Sequence, residues 1–225
     1  MMSIGLHPIR LMPGFFLLAA FSIATVKAQG IEDTILYDPG LELIVRAGNA
    51  GDFTAAAEYF EEVMDRVTDQ WLLPYYAAYS YIKASHEATG DKLKDALMDK
   101  AQVLINKGLA LKPEESELII LQAFLYQSRI QVNPQVRALT YSMKADAGLK
   151  QAAAADDGNP RAWSLMGYNV YHTPAAFGGG ARKALPFFLK ARDRFLSFNP
   201  ELPFLPQWGE PENLEMIAVC KKSAD

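Results

Sequence analysis

The sequence predicts an all-α fold, a right-handed α-solenoid of about four helical hairpins with a C-terminal capping segment. Three observations lead to this class. Apolar residues recur at three- and four-residue intervals from Ile31 onward, and no stretch alternates convincingly with period two. Short breaks rich in Gly, Asn, Asp and Pro divide residues 40–198 into about eight helices. A fixed spacing of small and large residues recurs in alternate helices.

The N-terminal segment, residues 1–28, has the features of a secretory signal peptide. Arg10 precedes an apolar run over residues 14–26. The run is 13 residues long, whereas a helix that spans a bilayer needs about 20. The triplet Val26-Lys27-Ala28 follows and predicts cleavage after Ala28 and a periplasmic or secreted protein. An uncleaved membrane anchor is the alternative, and the mature chain has no predicted integral membrane segment.

The amino-acid composition limits the kinds of partner that this protein is expected to bind. The chain has 225 residues, of which 50% are hydrophobic, 22 are basic and 26 are acidic. Cleavage would remove Arg10 and Lys27 and no acidic residue, so the mature chain is predicted to be more acidic than the precursor. A nucleic-acid partner is therefore not expected, because such proteins carry a basic surface. Cys220 is the single cysteine, so no internal disulfide can form.

A repeat is visible in alternate helices of the predicted solenoid, residues 29–200. Each copy has a small residue, a large apolar residue four positions later and, in most copies, another small residue three positions after that. The small anchors are Ala56, Ala101, Ala145 and Ala184, which lie 45, 44 and 39 residues apart. Small residues at this spacing let two helices approach closely, and recurrence at this scale indicates stacked helix pairs.

These residues resemble the tetratricopeptide repeat (TPR) family. Trp163 to Gly167 matches the Trp, large apolar, Gly pattern of a repeat's first helix, and Gly51-Asp52-Phe53 matches the turn between helices. Residues 101–113 match a second helix and its closing proline, and the resemblance covers about residues 37–200. The family period is about 34 residues, so the copies carry insertions. A HEAT-like repeat fits the raw spacing better but does not predict the two signatures.

Catalytic motifs are missing from the sequence. His86 and His172 fall in different predicted helices, and no His-x-x-x-His, Cys-x-x-Cys or Gly-x-Ser-x-Gly pattern occurs. The Gly178-Gly179-Gly180 loop precedes a helix, but Lys183 is followed by Ala184 rather than the Ser or Thr of a nucleotide-binding loop. We therefore predict no enzyme, no cofactor and no metal site, with a carboxylate pair assembled across repeats as the alternative.

Aromatic residues mark the candidate binding surface. Tyr75 and Tyr79 share one face of a helix, and a second arc is predicted on the helix that begins near Pro160. The resemblance to TPR proteins implies that these first helices line a concave groove. Eight residues form the predicted ligand- or partner-binding set: Tyr75, Tyr79, Tyr126, Arg129, Arg161, Tyr168, Tyr171 and His172. Packing of these aromatic residues between helices is the alternative.

The C-terminal segment, residues 201–225, is predicted to cap the solenoid. Residues 202–209 contain two prolines with Phe204 and Trp208, so an extended strap is expected to cover the end of the last repeat, before a helix that starts near Pro211. Trp208 could instead dock a partner. Two functions are predicted: a scaffold whose groove binds a protein segment, or a soluble periplasmic solute-binding accessory of a transporter. An open groove favours the first, and a closed cavity favours the second.

Overall fold

A computed structural model describes residues 36–223 of the chain. Nearly all of the described residues belong to one compact unit, which begins at Tyr37. The α-helices are α1 (36–46), α2 (Ala50–Met64), α3 (Leu72–Glu87), α4 (Asp91–Leu111), α5 (Ser116–Ile130), α6 (Pro134–Ala155), α7 (Pro160–His172), α8 (Ala181–Ser197) and α9 (Glu210–Lys222). The segment Ala175–Phe177 forms a short 3-10 helix. Within the described residues the fold is entirely helical, as predicted.

Capping side chains and glycines determine where several of the helices begin. The Asn49 side chain accepts a hydrogen bond from the backbone N–H of Asp52, and Asn133 and Asn159 cap α6 and α7 in the same way, each followed by proline. Gly209 precedes α9 with φ of +103°, a left-handed conformation that other residues adopt only with strain. The breaks predicted from the sequence are therefore real helix ends.

The helices form two layers. In one layer α3, α5 and α7 lie side by side, and in the other α2, α4, α6 and α8 pack against them. Hydrogen bonds join the starts of α3 and α5, through Tyr75 and Glu117, and also their ends, through His86 and Ser128. Equivalent residues therefore sit 42 positions apart, and α3 and α5 run parallel. Arg161 at the start of α7 also contacts Glu117, which continues the stack.

The predicted anchor residues form the contact between the layers. Ala56, Ala101, Ala145 and Ala184 are fully buried, as are the large residues that follow them, Phe60, Ile105, Leu149 and Phe188. Close packing between the layers also explains the glycine of the Trp163-to-Gly167 pattern. A Cβ on Gly167 would lie 2.6 Å from Cε1 of Phe188, so a larger residue would not fit there. The structure thus confirms an α-solenoid of the TPR type, with a longer repeat.

The C-terminal segment caps the solenoid through its helix, as predicted, but its strap does not lie where the sequence predicts. Helix α9 packs against α8, with Ile217 and Cys220 in their shared core, so this helix covers the end of the last repeat. The strap (residues 202–209) instead crosses to the first repeats: the Phe204 ring stacks on Tyr37 at 4.8 Å, and the Tyr76 hydroxyl donates to the Phe204 carbonyl at 2.7 Å. The strap binds at this position because Phe204 packs against the tyrosines of α1 and α3.

Candidate functional site

A cavity of about 600 Å³ lies between the first-layer helices and the strap. Residues from α3, α5 and α7 form most of its wall, the start of α6 contributes Pro134 and Ala138, and the strap and α9 close one side through Trp208, Gly209 and Glu212. Its volume falls within the range of about 300–1,000 Å³ that small-molecule sites occupy. Faces of helices that are far apart in the sequence thus meet in one concave site.

One wall of the cavity is aromatic. The Trp208 indole stacks on Tyr79, with ring centroids 5.3 Å apart and planes 29° apart. It also stacks on Phe124, at 5.4 Å and 28°. Tyr79 and Phe124 lie 6.4 Å apart with planes at 33°. We call these three residues the aromatic wall. Their ring planes lie 28–33° apart, although the residues come from α3, α5 and the strap.

A buried polar network holds the aromatic wall in place. The Trp208 Nε1–H donates to the Tyr75 hydroxyl at 2.8 Å, and that hydroxyl donates to Oε2 of Glu117 at 3.3 Å. The same carboxylate accepts from Asn159 Nδ2 at 2.6 Å and from Arg161 Nε at 3.0 and 3.1 Å. We call Tyr75, Glu117, Asn159 and Arg161 the Glu117 network. It connects the starts of α3, α5 and α7 to the strap.

Arg161 is the most unusual member of this network, because its side chain is completely buried. Burial by itself lowers the pKa of Arg161, because it disfavours the charged guanidinium. The Glu117 carboxylate has the larger combined effect, so the pKa of Arg161 is raised. Its Nη1 has no hydrogen-bond partner among the described residues. The guanidinium lies 4.6 Å from the ring centroid of Phe198 and 5.9 Å from that of Trp208, so aromatic faces attract the remaining charge.

The other end of the cavity is polar and lies at the C-terminal ends of α3 and α5. His86 shares a hydrogen bond of 2.8 Å with Ser128, through Nε2 and Oγ. Burial lowers the pKa of His86 to about 4, with a further contribution from the charges of Lys83 and Lys94, so the imidazole is neutral at pH 7. His172 also lines this cavity, and burial lowers its pKa.

The tyrosines that line the cavity remain protonated at neutral pH. Burial, followed by the charge of Glu212, raises the pKa of Tyr79. The same two causes, with Glu215 adding a smaller effect, raise the pKa of Tyr168 to about 12. The Tyr168 hydroxyl donates to the Glu212 carbonyl at 3.4 Å, which ties α7 to α9. These phenols therefore offer hydrogen bonds and ring faces rather than negative charge.

The structure brings together part of the predicted binding set. Tyr79, Tyr168 and His172 line the cavity. The sequence predicts that Tyr75 and Arg161 face the groove, but both are fully buried behind the wall, where they bind Glu117. A helical wheel places them on the groove side correctly, but it does not reveal that the strap covers this part of the surface.

Three other predicted residues lie away from the cavity. Tyr126 stacks on Tyr141 of α6 at 5.9 Å. Arg129 donates to Asp99 at 2.8 Å and to the Met98 carbonyl at 3.2 Å, so it connects α5 to α4. Tyr171 packs against the core between α8 and α9. For these residues the alternative interpretation, packing between helices, describes their position.

The predicted set omits most of the cavity lining, including four residues that matter for its chemistry. Lys83 and His86 follow Tyr79 by four and seven positions, so the helical period that identified the tyrosines could have found them. Phe124 has no comparable signal. Trp208 is unusual in the sequence, but its contact with α3 spans 133 positions, and no local pattern encodes such a contact.

The described residues, 36–223, contain no group of three or more His, Cys, Asp or Glu side chains that could hold a metal ion. None of the helices in that range is long and apolar enough to cross a membrane. No family model matches the sequence, and no curated protein matches it significantly.

Solved structures that are similar to this chain include the following two. One is the HusA haemophore from Porphyromonas gingivalis, with 27% sequence identity and a TM-score of 0.75, covering 86% of this chain and 94% of that one. The other is a thermophilic TPR protein of Thermus thermophilus, with 17% identity and a TM-score of 0.54, covering 77% of this chain and 74% of that one. The second likeness supports the TPR-like fold, and neither protein is described as an enzyme.

Proposed function

We propose that this protein is a non-catalytic binding protein that holds one flat, largely apolar small molecule of the haem class in its cavity. The observation that carries the proposal is the aromatic wall, whose three rings border a cavity of about 600 Å³. The likeness to a haemophore over most of both chains supports the choice of ligand class.

The shape of the cavity favours a planar ligand. Aromatic rings attract other flat π-systems through offset stacking, with a gain of about 0.5–1.5 kcal/mol per pair beyond burial of area. The ring planes of Tyr79, Phe124 and Trp208 differ by 28–33°, and all three side chains line the cavity, so they favour a flat ligand that packs against this stack. The Glu117 network fixes the Trp208 indole before a ligand arrives, which reduces the entropy lost on binding.

The chemistry of the lining favours binding over catalysis. Burial keeps Tyr79 and Tyr168 protonated and His86 neutral at pH 7, since it raises the pKa of each phenol and lowers the pKa of the imidazole. The Gln127 side chain donates to the Leu165 carbonyl, and Asn169 donates to the Ser142 carbonyl. These amides therefore support the helices around the cavity, and the lining presents stacking faces with a few hydrogen-bonding groups.

The strap favours a small ligand over a protein segment. It passes over the start of α3 and closes that side of the cavity with Trp208. A partner peptide would have to displace Trp208 from its hydrogen bond with Tyr75 and from two stacked rings. The solute-binding function predicted as the alternative therefore fits the site better than the scaffold.

Titration of the mature chain with haemin tests this proposal. We expect saturable binding of one haemin per chain, with a change in its visible absorption and quenching of tryptophan fluorescence. Trp208→Leu should weaken binding at least about tenfold, because it removes the central ring of the wall. Trp163→Phe is the matched control, since Trp163 lies outside the cavity, under Lys190. Absence of saturable 1:1 binding by the wild-type chain would overturn the proposal.

We further propose that the protein acts outside the cytoplasm, after cleavage behind Ala28. Residues 1–28 lie outside the described residues, and the proposal is based on their sequence, an Arg followed by 13 apolar residues and a Val-Lys-Ala site. The N-terminus of protein recovered from a secreting bacterium should be Gln29. Recovery of the chain with Met1 intact would contradict export by this route.

A further inference from the structure

We propose that Lys83 makes the cavity selective for ligands that carry a carboxylate at one edge, an inference that rests on the proposed function. Lys83 is the single Lys or Arg side chain that lines the described cavity. Within residues 36–223 no carboxylate lies within ion-pair distance of its amine. Its Nζ instead lies 5.7 Å from the ring centroid of Phe53 of α2, which is not part of the cavity lining. The cation therefore has no anionic partner, and the amine would turn from Phe53 toward the cavity to meet a ligand.

The charges of the cavity are separated along α3. Lys83 follows Tyr79 by four positions, which corresponds to a rise of about 6 Å toward the C-terminal end of the helix. Glu212, the carboxylate in the lining, lies on the other side, where its charge raises the pKa of Tyr79 and Tyr168. The cavity thus has a positive end beside His86 and a negative end beside Trp208.

The histidines do not supply the positive charge at neutral pH. Burial, with repulsion from Lys83 and Lys94, lowers the pKa of His86 to about 4, and burial lowers the pKa of His172. The C-terminal ends of α3 and α5 also lie at this end, and their dipoles disfavour an anion. The Lys83 ammonium is therefore the group that can stabilise a carboxylate there.

The aromatic wall and Lys83 together define the chemistry of the ligand. Its flat apolar body packs against the aromatic wall, and its acidic edge points toward Lys83. A carboxylate that leaves water needs such a partner, because a buried unpaired charge is costly. Porphyrins with carboxylate side chains along one edge fit this description, whereas their esters have the same flat body but lack the charge.

Comparison of protoporphyrin IX with its dimethyl ester tests the proposal directly. Both ligands lack a metal, so the comparison isolates the carboxylates. We expect the wild-type chain to bind the free acid about tenfold more tightly than the ester, which corresponds to one charge-assisted contact. Lys83→Met should remove this preference and leave the affinity for the ester within about twofold of wild type. Lys83→Arg should retain the preference.

Two controls separate this contact from general electrostatics and from misfolding. Lys144→Met removes a lysine that lies over Tyr126 and Tyr141, outside the cavity, and should keep the preference for the acid. Raising the salt concentration should reduce the preference of the wild-type chain, which checks the contact even if Lys83→Met does not fold.

The outcomes are distinct. Equal affinity of the wild-type chain for acid and ester, or equal losses for both ligands in Lys83→Met, would overturn the role of Lys83 and leave the proposed function intact. Failure of the wild-type chain to bind either porphyrin would overturn the proposed function and this inference with it.

Discussion

Helices α3 and α6 belong to the same kind of repeat but have very different surroundings. In α3, 13 of 16 residues are buried, whereas in α6 only Ala145, Leu149 and Ala152 are buried among 22 residues. Helix α3 contacts α2, α4 and α5, and the strap covers its start. Helix α6 contacts α5 and α7 along one stripe. The first layer therefore carries most of the candidate site and its supports, and the second layer packs against it and adds Pro134 and Ala138 of α6 to the cavity.

The same contrast appears in two ion pairs. Arg161 and Glu117 join first-layer helices, with 0% and 9% of their side-chain surfaces exposed. Arg137 and Asp95 join α6 to α4 through two bonds of 2.6 and 2.8 Å, with 26% and 31% exposed. Each pair joins an arginine to a carboxylate through more than one hydrogen bond, so their surroundings should decide what each pair contributes to stability.

The largest expected effect is the loss of the buried carboxylate. Glu117→Ala leaves the Arg161 charge buried without a partner and should lower the free energy of unfolding by about 3–5 kcal/mol. Asp95→Ala, the matched change in the second layer, should cost about 1 kcal/mol or less, because solvent reaches the remaining Arg137. Chemical denaturation of both variants measures the difference. Equal losses would mean that burial does not distinguish the two layers.

Two glycines provide a smaller test of the same contrast. A Cβ on Gly167 of α7 would lie 2.6 Å from Phe188, so Gly167→Ala should destabilise the protein by about 1–3 kcal/mol. A Cβ on Gly148 of α6 would lie 3.8 Å from its nearest neighbour, Ile119. Gly148→Ala should therefore stabilise the protein by up to about 1 kcal/mol through its helix propensity. Thermal unfolding should show opposite signs, and a loss of stability in both variants would contradict the contrast between the layers.

The smallest effect concerns pH and the two histidines of the cavity. Burial lowers the pKa of His86 to about 4, whereas an unfolded chain binds this proton near pH 6.5. Its contribution to stability is thus fully present above about pH 6.5 and is lost as the pH falls toward 4. The melting temperature of wild type should fall by a few degrees more than that of His86→Gln between about pH 7 and pH 5.

His172→Gln is the control for the pH experiment. Partial burial lowers the pKa of His172 as well, but this side chain is more exposed to solvent than that of His86. The variant should therefore follow the pH dependence of wild type more closely than His86→Gln does. Parallel curves for wild type and His86→Gln would show that His86 titrates in the folded protein as it does in the unfolded chain.

Most of the fold could be predicted from the sequence, but only a smaller part of the candidate site could. Spacing within single helices identified Ala56, Ala101, Ala145 and Ala184 as buried anchors, because the periodicity of a helix is local. The tyrosine face of α3 was visible for the same reason. Tyr79 lines the cavity whereas Tyr75 is buried behind it, because Trp208 of the strap covers Tyr75. Trp208 lies 133 positions beyond Tyr75, so no local sequence pattern could predict this difference.

We propose that the aromatic wall and the polar end beside Lys83 form one binding site for a small flat ligand. A crystal structure of the mature chain with protoporphyrin IX tests it most directly. We expect one porphyrin per chain, stacked on Trp208, with its carboxylates directed toward Lys83. A porphyrin bound on the outer face of α6, or at any position that leaves Trp208 and Lys83 without contact, would contradict this claim.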